Sequence, residues 1–362
     1  MKLHLLLIGN KFFYNTPLKE YILRTVEQKS GFIDSITFFR EGDNSLFLYL
    51  QQELNQTSKI IIITTKQNFS TIGKLISTVT GDNQILKENM LIPSNAAVFE
   101  NGSYLLEYKH SVANVLHLDE MQKMPELLIT NNDSNAVMHI FEEDKESAIA
   151  MLSPIAQMYD ISLDVVNLIE GWLRVDVSSS RYGNIAKFLK AAKQLLPHKL
   201  IAASNIVLYI IDALAKNQKK VTFAESCTGG LLSYYFTSQN GASKILDGSL
   251  VTYSNELKEN WLGIDNAIIN THGAVSFEVV QEMSEGAINV SHADYALSIS
   301  GIAGDTGGTE LKPIGTVYIG ARSQTNHTEV HLQLSGDRNY VQYQSVLYAI
   351  KMLLQIDKEI FF

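Results

Sequence analysis

One cysteine, Cys227, stands among 362 residues. No disulfide within the chain and no thiolate zinc cluster can be built from it, and a reducing cytosol is the compartment this suits. Positive charge is also scarce: 29 Lys and Arg face 38 Asp and Glu, for a formal net charge of −9, and no basic run exceeds the pair Lys219-Lys220. Nucleic acid is therefore not expected as a partner, because phosphate backbones are bound by clustered cations. No apolar run approaches the roughly 18 residues of a membrane-spanning helix. The opening MKLHLLLIGN is too short for a signal segment and lacks a small-residue cleavage site. It reads as a buried first strand, and a cytoplasmic protein without a membrane partner is expected. His, Cys, Asp and Glu show no metal-ligand spacing, so no metal is expected.

What is present is an ordinary folding composition, 46% hydrophobic and 19% charged. At roughly 100–200 residues per domain the length calls for two or three domains. Over 1–135, LHLLLIG and KIIIITT are continuous apolar runs of strand length, as in strands buried on both faces of a parallel sheet. The helical patterns PLKEYILRTVEQKSG and SLFLYLQQELNQ between them make a β-α-β-α-β order, hence a three-layer α/β domain. Over 136–200 a β-α-β-β-α pattern, with a turn at Glu170-Gly171, reads as a small open-faced α+β module that links or dimerises. From 203 to 362 strands and helices alternate again as α/β, opened by a helix with Ser204 as its N-cap.

Four stretches of the last segment can carry chemistry. In TFAESCTGG a strand ends at Glu225, and Ser226, Cys227 and Thr228 occupy the turn into a helix. Gly229 and Gly230 would let a ligand approach the backbone, and the helix start favours an anion or oxyanion. A tight turn with packing glycines reads equally well. In SLVTYSNELK, Tyr253, Ser254 and Asn255 end a strand, and Lys258 sits in the first turn of a helix. The dipole disfavours a cation there, so either a functional reason or a solvated surface lysine accounts for it. SISGIAGDTGGTELKPIGT brings Ser300, Gly301, Gly304, Gly307 and Gly308 into a loop able to wrap a ligand, although it is not a Walker loop. In SGDR, Arg338 at a helix start could form a fork onto phosphate. Together they fit the rule that α/β domains bind ligands beyond the strand C-termini.

TFAESCTGG, VTYSNELK, HGAVS, ISGIAG followed by GGT and KPIGTV, and SGDR occur in an order that resembles the C-terminal domain of the CinA family (competence/damage-inducible protein A). The likeness covers nearly all of 203–362. It implies an amidohydrolase acting on nicotinamide mononucleotide, without cofactor, in pyridine nucleotide salvage, with a pyridine nucleotide as partner and a homo-oligomer, a dimer, as assembly. Asp305 departs from the family's usual proline. The first segment faintly resembles the molybdopterin-binding-like domain of the same family, in degenerate form. Gly9-Asn10-Lys11 and Thr65 to Thr71 replace its glycines and carboxylates, and the middle segment is similar to its KH-like module.

The implied reaction needs a nucleophile and a base. No His-Asp pair lies among the motifs, and His272 reads as a loop-ordering residue. Lys258, its pKa lowered by burial, is the expected base, supported by a hydrogen bond from Tyr253. Ser243, in a loop similar to the family's Gly-Ser-Ser, is favoured for the attack. Ser226 would orient substrate, and Cys227 is the runner-up nucleophile. Amides of 228–230 or 300–302 would hold the oxyanion, Thr228, Gly229, Gly230 and Asn255 would line the substrate, and Arg338 would bind the 5′-phosphate. The alternative is a CinA-like ligand-binding or scaffold protein without turnover.

Overall fold

The structure is a computed structural model that describes residues 2–56, 58–130, 135–179, 182–304 and 306–362. Among these residues no helix is long and apolar enough to cross a membrane. The chain forms two compact units, Met1–Asn135 and Ala136–Phe362, both of mixed α/β structure.

The first unit has a six-stranded sheet of β1 (Lys2–Ile8), β2 (Ser35–Phe39), β3 (Ser58–Thr64), β6 (Val98–Glu100), β7 (Ser103–Tyr108) and β8 (Ser111–His117), in the order β2-β1-β3-β8-β7-β6. A hairpin of β4 (Gln84–Lys87) and β5 (Met90–Pro93) stands apart from it. The apolar runs behave as their continuity predicts. Leu5, Leu7, Ile61 and Ile63 pack on one face with Ile22 and Val26 of α2 (Thr16–Ser30), which follows the short α1 (Lys11–Tyr14). Leu6, Ile60 and Ile62 pack on the other with Leu50 of α3 (Leu46–Leu54) and Ile72 of α4 (Lys66–Thr80). Helices thus cover both faces. The two apolar runs pair in parallel as expected, and β7, which carries neither run, pairs antiparallel with both β6 and β8.

The second unit opens with a four-stranded sheet, ordered β10-β11-β9-β12, of β9 (Asn135–Phe141), β10 (Ile161–Ile169), β11 (Trp172–Ser179) and β12 (Leu200–Ile201). Between them run α5 (Lys145–Met158) and α6 (Ile185–Leu195), whose Leu152 and Phe188 fill the core of this module. Its Phe141, Ile169, Trp172 and Ile201 belong instead to the core shared with the rest of the unit, which includes Leu214, Phe223 and Leu353.

The five-stranded sheet that follows has the order β14-β13-β15-β16-β17, built from β13 (Val221–Glu225), β14 (Ser249–Val251), β15 (Tyr295–Gly301), β16 (Thr316–Ser323) and β17 (His327–Gln333). β13 lies parallel to both β14 and β15, and an antiparallel hairpin of β16 and β17 completes the edge. One face is covered by α7 (Ile206–Lys216), α8 (Leu231–Thr237), α12 (Arg338–Ile356) and α13 (Lys358–Phe361). The other is covered by α9 (Asn255–Leu262), α10 (Asn266–His272) and α11 (Phe277–Ser291). The N-cap of α7 is Asn205, which accepts from Leu208 N–H at 3.0 Å, and not Ser204. His272 closes α10 rather than lying in a loop. The strand order reverses at β13, which makes its C-terminal end the crevice where such sheets bind ligands.

Candidate active site

β13 ends on Glu225, and the chain turns through Ser226, Cys227 and Thr228 into α8. Gly229 and Gly230 hold φ values of +61° and +100°, left-handed backbone that glycine reaches without strain. Ser226 is held by its own N–H, which donates to the Ile299 carbonyl of the neighbouring strand at 2.9 Å.

Lys258 meets Ser226 from the side of β14. Ser254 caps α9 by accepting from Leu257 N–H at 3.1 Å, and the helix that starts there turns Lys258 inward. The side chain is only 1% exposed. Its Nζ donates to the Thr252 carbonyl at 2.7 Å and to Ser226 Oγ at 3.0 Å. No carboxylate pairs with it among the described ion pairs. Burial penalises the ammonium form and pulls the pKa down to about 8, with the neighbouring Cys227 acting weakly in the other direction. A buried lysine of this kind is an amine that can accept a proton near neutral pH.

Three expectations for this centre are corrected. Ser243 lies exposed in a 3-10 turn at Ala242–Lys244, and the hydroxyl bonded to Lys258 is that of Ser226. Tyr253 does not support the lysine: it is 59% exposed, and its hydroxyl accepts from Arg338 Nη2 at 2.7 Å. The support comes from a main-chain carbonyl one residue earlier, which a reading by residue type cannot detect. Finally, most of the amides expected to hold an oxyanion are committed. Gly229 N–H donates to the Ser226 carbonyl, Gly230 N–H to the Glu225 carboxylate and Ile302 N–H to the Thr316 carbonyl. Cys227 N–H turns to its own thiol, whereas Thr228 N–H donates to nothing among the described residues. The Thr228 hydroxyl, also buried, finds no partner there either.

Cys227 fits poorly as a nucleophile. It is 5% exposed, and burial pushes its thiol up to about 12, so the thiolate is not available at neutral pH. Its carbonyl accepts from Gln342 Nε2 at 2.6 Å, a tie from α12 to the turn that sequence reading missed.

Arg338 begins α12, capped by Asp337, which accepts from Tyr340 N–H at 2.8 Å. A Cβ at Gly304 would stand 2.7 Å from Arg338 Nη1, so the absence of a side chain there leaves room for the guanidinium. Asn255 is exposed at the start of α9, and the buried Ser300 spends its hydroxyl on the Ala274 carbonyl at 2.8 Å. Gly301 ends β15 against Cys227, while Gly307 and Gly308 precede a turn closed by Thr309 N–H donating to the Lys312 carbonyl at 2.8 Å. Asp305 lies outside the described residues. His272 Nδ1 lies 3.2 Å from a Glu278 carboxylate oxygen at the exposed end of α10. Among the described residues no three His, Cys, Asp or Glu side chains converge as a metal site would require.

The family model for the CinA C-terminal domain matches residues 204–356, which contain all of these residues. A CinA-like protein of Thermotoga neapolitana is 44% identical over 150 residues, 41% of this chain and 36% of that protein. One from Endomicrobium trichonymphae is 34% identical over 60% of this chain and 54% of its own length, and one from Petrotoga mobilis 28% identical over 84% and 79%. The chain spans about a third of the length of the first curated relatives it matches. The crystal structure of the competence damage-inducible protein A from Klebsiella pneumoniae is 33% identical over 41% of this chain and 93% of that one, with a TM-score of 0.40. By the family model, residues 204–356, which run through the whole of the Ser226–Lys258 centre, form a CinA C-terminal domain.

Proposed function

We propose that the second unit hydrolyses the carboxamide of nicotinamide mononucleotide, giving nicotinate mononucleotide and ammonia. The observation that carries this reading is the 3.0 Å contact between the Lys258 amine and the Ser226 hydroxyl, with the lysine buried, unpaired by any carboxylate among the described ion pairs and titrating near 8. The choice of substrate comes from the likeness to the amidohydrolase domain. The positive pyridinium ring draws electrons from the carboxamide, which makes an otherwise poor electrophile open to an alcohol.

In the proposed sequence, neutral Lys258 takes the Ser226 proton as Oγ bonds to the amide carbon. The oxygen that becomes negative is assigned to the free amide of Thr228, such a donor contributing roughly 3–4 kcal/mol. The lysine ammonium then passes its proton to the departing nitrogen, the C–N bond breaks, and ammonia leaves an ester on Ser226. Water, losing a proton to Lys258, attacks that ester. The serine oxygen recovers a proton and nicotinate mononucleotide leaves. Arg338, with Tyr253 beside it, is assigned to the 5′-phosphate, and the buried Thr228 hydroxyl to a polar group of the substrate.

The test is ammonia release from the mononucleotide by the purified chain, matched mole for mole by the acid product, in wild type and Ser226→Ala. Turnover that disappears in the variant supports the reading. Saturable binding of the mononucleotide with no ammonia would instead identify a ligand-binding protein without turnover.

A further inference from the structure

Glu225 has no part in the chemistry above, yet it is wholly buried, and no cation is paired with it among the described ion pairs. A carboxylate in that position must be stabilised by hydrogen bonds or be very costly. Glu225 receives four. Its Oε2 accepts from the N–H groups of Gly230 at 3.1 Å and Leu232 at 3.0 Å. Its Oε1 accepts from Ser233 N–H at 2.9 Å and from the Ser233 hydroxyl. These are the orphan donors at the start of α8, so the carboxylate satisfies the helix terminus from the strand that precedes it.

The network reaches both members of the pair. The Ser233 hydroxyl also contacts the hydroxyl of Ser249, the first residue of β14. The main-chain carbonyl of Glu225 accepts from Thr252 N–H at 2.8 Å, and the Thr252 carbonyl is the one that holds Lys258 Nζ. Ser226 is the next residue in the chain. One residue therefore ties α8, both ends of β14 and the serine turn together. Being buried, it does not touch substrate, and by filling the helix terminus it leaves the substrate's anion to Arg338.

We infer that Glu225 is a positioning residue: its carboxylate clamps α8 to β14 and thereby holds Ser226 Oγ against Lys258 Nζ. Glutamine in its place would turn one NH2 toward N–H donors and open one side of the clamp. The inference rests on the Ser226–Lys258 pair proposed above but not on the identity of the substrate, so its test needs no substrate. The full chain is treated with phenylmethanesulfonyl fluoride between pH 6 and 10, and sulfonylation of Ser226 is followed by intact mass and peptide mapping. Wild type, Glu225→Gln, Lys258→Met and the double variant form a cycle.

Wild type should be labelled faster as pH rises through about 8, the value at which Lys258 loses its proton. Glu225→Gln should be labelled at least about tenfold more slowly and lose that pH dependence, whereas in the Lys258→Met background the same substitution should change the rate by less than about twofold. Ser233→Ala, which removes the hydroxyl's bonds to Glu225 and Ser249 and leaves the three main-chain donors, should slow labelling about three- to tenfold with the same dependence on Lys258, and it carries the test if Glu225→Gln does not fold. Equal slowing in both backgrounds overturns the inference, since a purely structural role acts whether or not the lysine is present. So does a Glu225→Gln protein, or a Ser233→Ala protein where that one alone folds, labelled like wild type. A wild-type protein whose labelling ignores Lys258→Met removes the pair itself, and the inference with it.

Discussion

Two strand-to-helix turns with a lysine nearby treat that lysine differently. In the first unit β3 runs into α4, Thr65 caps the helix, and Lys11 donates to Asp119 at 2.7 Å. The same Asp119 oxygen lies 3.5 Å from Lys66 N–H, at the helix start. A carboxylate of the protein itself thus sits where an anionic ligand of such a turn would, and it neutralises the lysine. In the second unit Glu225 fills the start of α8 without reaching Lys258, which among the described residues has a carbonyl and a hydroxyl for hydrogen-bond partners. Burial of a lysine yields a base only where no carboxylate follows it in; with one, burial yields an ion pair.

Exchanging lysine for methionine at both turns is the strongest way to break this comparison. Lys258→Met should lower kcat for ammonia release about 10²–10⁴-fold, the usual contribution of a general base. Lys258→Arg should do as badly, because a guanidinium keeps its proton. Ser226→Ala should match that loss, while Ser243→Ala should remain near wild type. In the wild-type protein the proposed turnover should rise with pH through about 8, as the amine becomes neutral. A near-normal kcat for Lys258→Arg would end the Ser–Lys reading.

The next effect is on stability, and its sign is the reverse of the catalytic one. The folded-state pKa of Lys258, about 8, lies below its ordinary 10.5, so the unfolded chain binds more protons between these values and stability rises with pH across that window. At pH 7 the buried ammonium costs the fold up to about 3 kcal/mol. Lys258→Met should therefore unfold at a higher temperature than wild type at pH 7, and the difference should shrink toward pH 10. Thermal scans at the two pH values check this.

Two smaller effects sharpen the contrast. Arg338→Ala should raise KM about tenfold with kcat little changed, the loss of roughly 1.4 kcal/mol of uniform binding. Steady-state kinetics on the mononucleotide would show a kcat loss instead if Arg338 acted only in the transition state. Lys11→Met should leave amidase activity untouched and cost no more than about 1 kcal/mol in a denaturant titration, since its pair with Asp119 is partly exposed.

Much of this architecture can be read from the sequence. Apolar runs such as Leu5 to Ile8 and Ile60 to Ile63 announce strands buried on both faces, and the helices between them follow from period. β6 is three residues long and partly exposed, and β7 alternates only loosely, so the antiparallel half of the first sheet leaves little periodic signal. In the site, Lys258 is conspicuous because a cation in a first helical turn is unfavourable. The choice between Ser226 and Ser243 is not legible, since both occupy turns beside glycines and only the packing of α9 on β13 decides which one the amine meets. Thr252 acts through its carbonyl, which every residue possesses. Glu225 does leave a sign, a charged residue closing the run VTFAE, but a strand-end carboxylate is ordinarily solvated.

The aromatic residues that join the four-stranded module to the five-stranded sheet set how this unit melts. Phe141 stacks edge-on against Phe362 at 5.7 Å, and Trp172, wholly buried, packs against Phe141 at 5.2 Å. The module therefore owns only part of the core it relies on, and so does its neighbour. Neither can lose its structure without exposing the other's apolar surface, which makes residues 136–362 one cooperative unit rather than two. In calorimetry that unit should give a single endotherm with equal van't Hoff and calorimetric enthalpies, and cutting at about residue 203 should lower its melting temperature even though every residue of the proposed site is retained.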